Sequence, residues 1–315
     1  MSAPTTTRPT TSAGPARTVA PPRRRSWFRN PWRKPRVLET VTWAYLAWSL
    51  LPVTLAIFMS FSSGRSNSTF QGPLTLQYWT GTGFEGDDGS LFRDPDLRSA
   101  IRQTYTLSFA TMAISVPLGV MFAIGLDRWR GRPANGANVL MLMSFVVPEI
   151  ILGVTALYVV LYLFKFIPLG TPAQIMALVT FQMSYPVIIV RARLLSIGKE
   201  YEEAAMDLGA PPKQSITRVL IPLLMPAILA SFAIVFADTV DDFVTVAYLS
   251  GAAESQTLSM KIYTHTRGAP TPAVNAAATF MLMTTTLVIA IGYVLYRRLA
   301  RGQTDAGVTS FAAQV

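Results

Sequence analysis

The chain has 315 residues, 51% of them hydrophobic and 14% charged, with a mean hydropathy of +0.37, too apolar for an ordinary water-soluble domain and suited to a bilayer. Its net charge of +10 is no nucleic-acid footprint, because nine of the 27 Lys and Arg lie in the first 36 residues and most others close apolar runs. No cysteine occurs and His265 is the single histidine, which excludes disulfides, thiol catalysis and multi-histidine metal sites.

Residues 1–36, rich in Thr, Pro, Ala and Arg, are expected to form a disordered basic tail in the cytoplasm, within reach of anionic lipid. An apolar run at about 41–61 follows. It has no small-residue cleavage site behind it, so it reads as a first span rather than a signal peptide. Residues 62–99 are polar, with Tyr78, Trp79 and Phe84 interspersed, and read as an outer loop. Within it Gly86-Asp87-Asp88-Gly89 lacks the alternating oxygen ligands of a calcium loop and reads as a solvated turn. A second span is predicted at about 100–126, followed by Arg128, Arg130 and Arg132. The third, at about 139–164, contains Pro148-Glu149, and the fourth, at about 173–195, contains Tyr185-Pro186.

A polar elbow then occupies 196–222, followed by a fifth span at about 223–249, an outer loop at 250–272 and a sixth span at about 273–296. Arg297, Arg298 and Arg301 close it and lead into a cytoplasmic tail, 301–315, so the membrane domain covers 37–300. With these spans, Lys and Arg number twenty on the side of the termini and elbow and six on the other. That asymmetry predicts cytoplasmic termini and a cytoplasmic elbow.

In the elbow, Glu200, Glu202 and Glu203 place negative charge at the positive end of a short helix, and Gly209 with Pro211-Pro212 ends it. Ala204 and Ala205 leave its backbone open to close approach by a partner. Lys213 to Leu220 reads as a second short helix that Pro222 stops.

Four carboxylates fall inside apolar spans. Asp238, Asp241 and Asp242 are spaced i, i+3, i+4 and, on a continuous helix, share one face with Thr245. A carboxylate facing lipid costs about 3 kcal/mol, so all three must face protein or water. At 1.5 Å per residue they stand about 20 to 28 Å above the cytoplasmic end. They serve either as an acidic wall on a cation's path, or as hydrogen-bonding partners of neighbouring helices and caps of a broken one. Glu149 follows Pro148, whose missing donor can kink the helix and admit water beside the carboxylate. Tyr185-Pro186 reads as a similar kink with an aromatic packed beside it, and Met141, Met143, Met281 and Met283 as helix packing.

Glu203-Ala204-Ala205, three residues, Gly209, nine residues and Val219-Leu220-Ile221-Pro222 resemble the EAA loop of permease subunits of bacterial ATP-binding-cassette importers. Asp241-Asp242-Phe243-Val244, Ser250-Gly251, Lys261-Ile262-Tyr263, Thr271-Pro272-Ala273-Val274-Asn275-Ala276 and Pro148-Glu149-Ile150 are similar to the spermidine/putrescine permeases of that family. The likeness covers about residues 100 to 300. It implies an all-α integral membrane protein of the type I, MetI-like kind with six transmembrane helices. It also implies a coupling role for Glu203, Ala204, Ala205, Gly209 and Pro222 against an ATPase subunit. The acidic residues themselves, with Tyr263, give as a hypothesis a translocation path along Glu149, Asp238, Asp241, Asp242 and Tyr263. The implied partners are a second homologous permease, two ATP-binding subunits and an extracytoplasmic substrate-binding protein. No G-x-x-x-x-G-K-[ST] occurs, so ATP and Mg belong to the partner ATPase and this chain binds no cofactor and performs no hydrolysis itself. Polyamines suit acidic and aromatic groups through ion pairs and cation–π contacts. The alternatives are a permease for another small solute, a self-sufficient secondary transporter driven through Glu149 or the Asp residues, and a scaffold that recruits an ATPase.

Overall fold

The computed structural model describes residues 36–64, 70, 72–81, 89–129, 136–137, 139–141, 143, 146–267 and 272–312. The basic tail before Arg36, Asp87 and Asp88 of the Gly-Asp turn, Arg130, Arg132 and Thr271 lie outside the described residues. The chain divides into two compact units, residues 1–51 and 52–315, and α1 (Arg36–Met59) runs across their boundary. No strand occurs among the described residues.

Five helices among the described residues are long and apolar enough to cross a membrane. They are α1, α3 (Pro95–Arg128), the kinked pair α5 (Thr171–Gln182) and α6 (Ser184–Ile197), the run from α8 (Pro212–Ser215) through α9 (Ile221–Asp241), and the first part of α12 (Pro272–Ala312). Shorter elements are α2 (Gln77–Thr80), α4 (Glu149–Tyr158), α7 (Glu200–Asp207), α10 (Val244–Tyr248) and α11 (Leu258–Arg267).

Several of these elements differ from the expected boundaries, and four of the departures have a local reason. α3 starts at Pro95 rather than 100, because Asp94 Oδ1 accepts the N–H groups of Asp96 at 2.8 Å and Leu97 at 3.3 Å and Pro95 takes the first helical turn. The expected third span breaks at Val147-Pro148, so Glu149 opens α4 instead of standing in mid-helix. Pro222 does not stop the elbow's second helix. Residues Ile216–Leu220 form a π turn in which Ile221 N–H donates to Ile216, and this wider turn absorbs the clash of the Pro222 ring with the preceding carbonyl, so the helix continues into α9. α12 runs on to Ala312, so the expected C-terminal tail begins within a helix.

α9 is the central helix and packs on α3, α6 and α12. Leu224, Ala227 and Val235 of α9 meet Val116, Val120, Val187 and Val190 in one buried cluster. α3 approaches the α5–α6 kink closely because position 119 is glycine, where a Cβ would lie 2.5 Å from Pro186 Cγ and 3.0 Å from the Met183 carbonyl. Farther along, the fully buried Gln174 donates to Val246 O at 3.1 Å and Ser255 O at 2.9 Å and accepts from Gln103 at 2.9 Å. That amide ties α3, α5, α10 and the 250–257 loop together with every polar atom satisfied.

Candidate functional site

Three interruptions of helices converge on one cavity. The first is Val147-Pro148, with Pro148 in an extended conformation (φ −57°, ψ 137°) ahead of α4. The second is the kink at Met183, where Pro186 has no N–H and its ring crowds the carbonyl four residues back. At the third, Asp242 leaves the helix (φ −59°, ψ 112°) while its Oδ1 accepts the N–H of Thr245 at 2.9 Å and of Val246 at 3.4 Å, capping α10. Non-helical backbone at membrane depth is tolerated where it is enclosed by protein or lines a watery cavity.

The cavity has a volume of about 380 Å³ and is lined by Glu149, Gln182, Ser184, Tyr185, Asp242 and Thr245 over an apolar floor that includes Leu152 and Phe181. Glu149 is exposed and Asp242 is buried. Asp238 adjoins this group through two bonds, from Gln182 Nε2 at 2.5 Å and from the Tyr185 hydroxyl at 3.3 Å. Because Asp238 needs a donor, the Gln182 amide must present its nitrogen there and turn its oxygen away. Gln182 Oε1 is buried with no hydrogen-bond partner, on a side chain only 3% exposed. Two carboxylates, Glu149 and Asp242, thus line one cavity, an arrangement that favours a cation over an anion.

Asp241 and Tyr263 lie elsewhere. They line a second cavity of about 750 Å³ between α9, α11 and α12, otherwise largely apolar, with Phe243, Ile262, Met281 and Leu282. Phe243 and Tyr263 rings are 4.7 Å apart, and the Arg267 guanidinium lies 4.7 Å from the Tyr263 ring centre. The expected common face of Asp238, Asp241 and Asp242 therefore does not form. α9 ends at Asp241, and the turn at Asp242 sends the neighbouring carboxylates into separate cavities.

At the elbow, α7 ends in a Schellman motif: Ala210 N–H donates to Ala205 O at 3.0 Å and Gly209 N–H to Met206 O at 2.9 Å. Gly209 has φ +88°, a conformation that glycine alone adopts without penalty, and a Cβ there would meet nothing within 4 Å. Glu203, Ala204, Gly209 and Pro222 are exposed and Ala205 is half-buried. Leu208 is 90% exposed, an apolar side chain beside a shallow depression lined by Gly209, Gln214 and Arg218. Glu202 pairs with Arg128 at the end of α3, and its carbonyl accepts the Ser215 hydroxyl at 3.3 Å.

The sequence singled out neither Gln182, Ser184 and Leu208 nor the pairing of Arg128 with Glu202, and it marked Tyr185 only as an aromatic packed beside a kink. Tyr185 in particular is not simply packed beside a kink, since it lines the cavity and bonds Asp238. A usable signal existed for Gln182, an amide inside an apolar span, where polar side chains are costly and seldom idle. Met141 packs in the main buried cluster, as expected, whereas Met143 and Met283 are exposed.

Residues 115–305 match the family model described as the binding-protein-dependent transport system inner membrane component. The chain is 29% identical to the putrescine transport system permease protein PotI of Escherichia coli strain K12, over 87% of this chain and 93% of that one. It is 26% identical to the spermidine/putrescine transport system permease protein PotC of the same strain, over 84% and 94%. Its fold resembles that of a chain in the crystal structure of a bacterial ABC transporter involved in import of the acidic polysaccharide alginate. That match has a TM-score of 0.65 at 16% identity and covers 84% of this chain and 96% of that one.

Proposed function

This chain belongs to the family of binding-protein-dependent transport system inner membrane components, and from that premise we propose that it is the transmembrane permease subunit of an ATP-driven importer for polyamines or a similar organic cation. It is a multi-pass membrane protein. The observation that carries the cation reading is the cavity at the three helix interruptions, with the carboxylates of Glu149 and Asp242 in its lining. An alkylammonium group brings a positive charge and N–H donors for the carboxylates and a methylene chain for Leu152 and Phe181; the Tyr185 ring adds a cation–π surface. The two relatives, a putrescine and a spermidine/putrescine permease, point the same way.

In this reading the termini and the elbow lie in the cytoplasm, as the charge asymmetry suggests. An extracytoplasmic binding protein delivers substrate, a second permease completes the passage, and two ATPase subunits bind ATP and Mg. The exposed elbow from Glu203 to Gly209, with Leu208 at its apex, seats in the ATPase, and ATP-driven closure rocks the helices between inward-open and outward-open states. Asp238 orients Gln182 and Tyr185, while Asp241 and Tyr263 form a separate station on the path.

The test is uptake of radiolabelled putrescine into proteoliposomes holding the chain with its second permease, ATPase and binding protein. Uptake is expected to require ATP, to be competed by spermidine and not by sugars or oxyanions, and to show a KM raised about tenfold or more by Glu149→Gln, of the order expected for a lost charge-assisted contact. ATP-independent uptake by this chain alone would show a self-sufficient transporter, and ATP-driven uptake of another solute with no competition by polyamines would remove the cation assignment.

A further inference from the structure

We propose that the Arg128–Glu202 ion pair is a positioning contact that fastens the elbow to α3, so that movement of α7 is delivered to the cavity-lining kink rather than dissipated in the elbow. The inference rests on the coupling role proposed above. α7 is an eight-residue helix with no fully buried residue, so little apolar packing holds it. Of the three acids in its first turn, Glu200 and Glu203 are exposed, while the Glu202 side chain is 14% exposed and faces the bundle. Glu202 pairs with Arg128, the last residue of α3, and through its carbonyl holds Ser215 of α8.

Arg128 stands nine residues beyond Gly119, about 14 Å along the α3 axis. Gly119 is seated on Pro186 and Met183 with no room for a Cβ. That kink carries Gln182, Ser184 and Tyr185 into the cavity. The chain itself runs from the kink through α6 and Gly198-Lys199 into α7. Besides that covalent link, the elbow, a stiff helix and the cavity wall are thus joined by one ion pair and one close helix contact. Packed elements of this kind shift between discrete arrangements rather than bending.

The complete chain is reconstituted with its second permease, ATPase and binding protein, and radiolabelled putrescine uptake is read together with ATP hydrolysis. Arg128→Gln and Glu202→Gln are each expected to lower putrescine moved per ATP by about fivefold or more while ATPase copurification and turnover persist. The charge exchange, Arg128→Glu with Glu202→Arg, is expected to restore the ratio to within about twofold. An unchanged ratio in the single variants, or no recovery on exchange, overturns the proposal. A second measurement stands apart from transport. The chain has no cysteine, so spin labels at Trp129→Cys and Met206→Cys report the α3–α7 distance in the purified full chain. Arg128→Gln is expected to broaden a narrow distribution, and an unchanged distribution overturns the proposal whatever the chain transports. Broadening in a chain whose unaltered complex moves no putrescine supports the linkage and counts only against the transport reading.

Discussion

Gly119→Ala is the sharpest test of the packing that shapes the cavity. The added Cβ would stand 2.5 Å from Pro186 Cγ, 2.9 Å from Pro186 Cβ and 3.0 Å from the Met183 carbonyl. None of these atoms can swing away, since two belong to a rigid ring and one to backbone. Ordinary contact begins at 3.4 Å, so α3 and the kink must separate by about 0.9 Å. Such overpacking costs about 1–3 kcal/mol, or on the order of 5 °C in the unfolding midpoint of the purified chain. Gly125 supplies the internal control, lying on the same helix with nothing within 4 Å of its would-be Cβ. Gly125→Ala should be neutral or stabilising by up to about 1 kcal/mol, because alanine is the better helix former. Thermal unfolding in detergent, followed by near-ultraviolet circular dichroism, reads both variants. Equal midpoints for the two would refute the close approach of α3 to the kink. Putrescine uptake should fall in Gly119→Ala alone, since the displaced kink carries Gln182 and Tyr185.

Asp94→Ala removes the acceptor for two N–H groups at the start of α3 and should cost about 1 kcal/mol, while Asp94→Asn should cost little; thermal unfolding measures both. Gly209→Trp should insert into the membrane normally, as read by cell fractionation, yet lose ATP-driven uptake, because it adds bulk and a strained positive φ to an exposed helix end. Asp242→Ala should destabilise the chain by about 1 kcal/mol through loss of the α10 cap, whereas Asp242→Asn keeps the cap and removes only charge. Matching unfolding midpoints with a raised putrescine KM in the Asn variant would mark the charge as functional.

What was legible in the sequence followed from local chemistry. Apolar runs located the spans, and the Gly209 stop was visible because a positive φ at a helix end selects glycine. The Asp94-Pro95-Asp96 start was equally legible, but apolarity, which begins later, pulled the expected boundary inward. Pro222 misled because proline is read against α-helical hydrogen bonding, and nothing local announces that Ile216–Leu220 will widen into a π turn. The shared acidic face failed for a related reason. Its i, i+3, i+4 geometry holds only while the helix continues, and no proline or glycine marks the break after Asp241. The capping spacing from Asp242 to Thr245 was the available hint. Contacts distant in sequence, such as Gln182 with Asp238, are set by how the α5–α6 kink packs on α9 and leave no local pattern.

The division of the carboxylates between two cavities has a consequence that a single acidic wall would not. Glu149 and Asp242 line the same cavity, while Asp241 lies in the other, with Tyr263. Residues that share one bound charge couple energetically, and residues at separate stations contribute nearly independently. Removing either Glu149 or Asp242 leaves the other to hold the cation, so the second loss should cost more or less than the first but not the same. The double variant Glu149→Gln with Asp242→Asn should therefore depart from additivity by about 0.5–3 kcal/mol in the free energy derived from putrescine kcat/KM. Asp241→Asn combined with Asp242→Asn should be additive to within about 0.5 kcal/mol, although the two residues are adjacent in sequence. Were the neighbouring pair to couple as strongly as Glu149 and Asp242, the carboxylates would be acting as one wall, and α9 would have to remain helical past Asp241 in the transporting state.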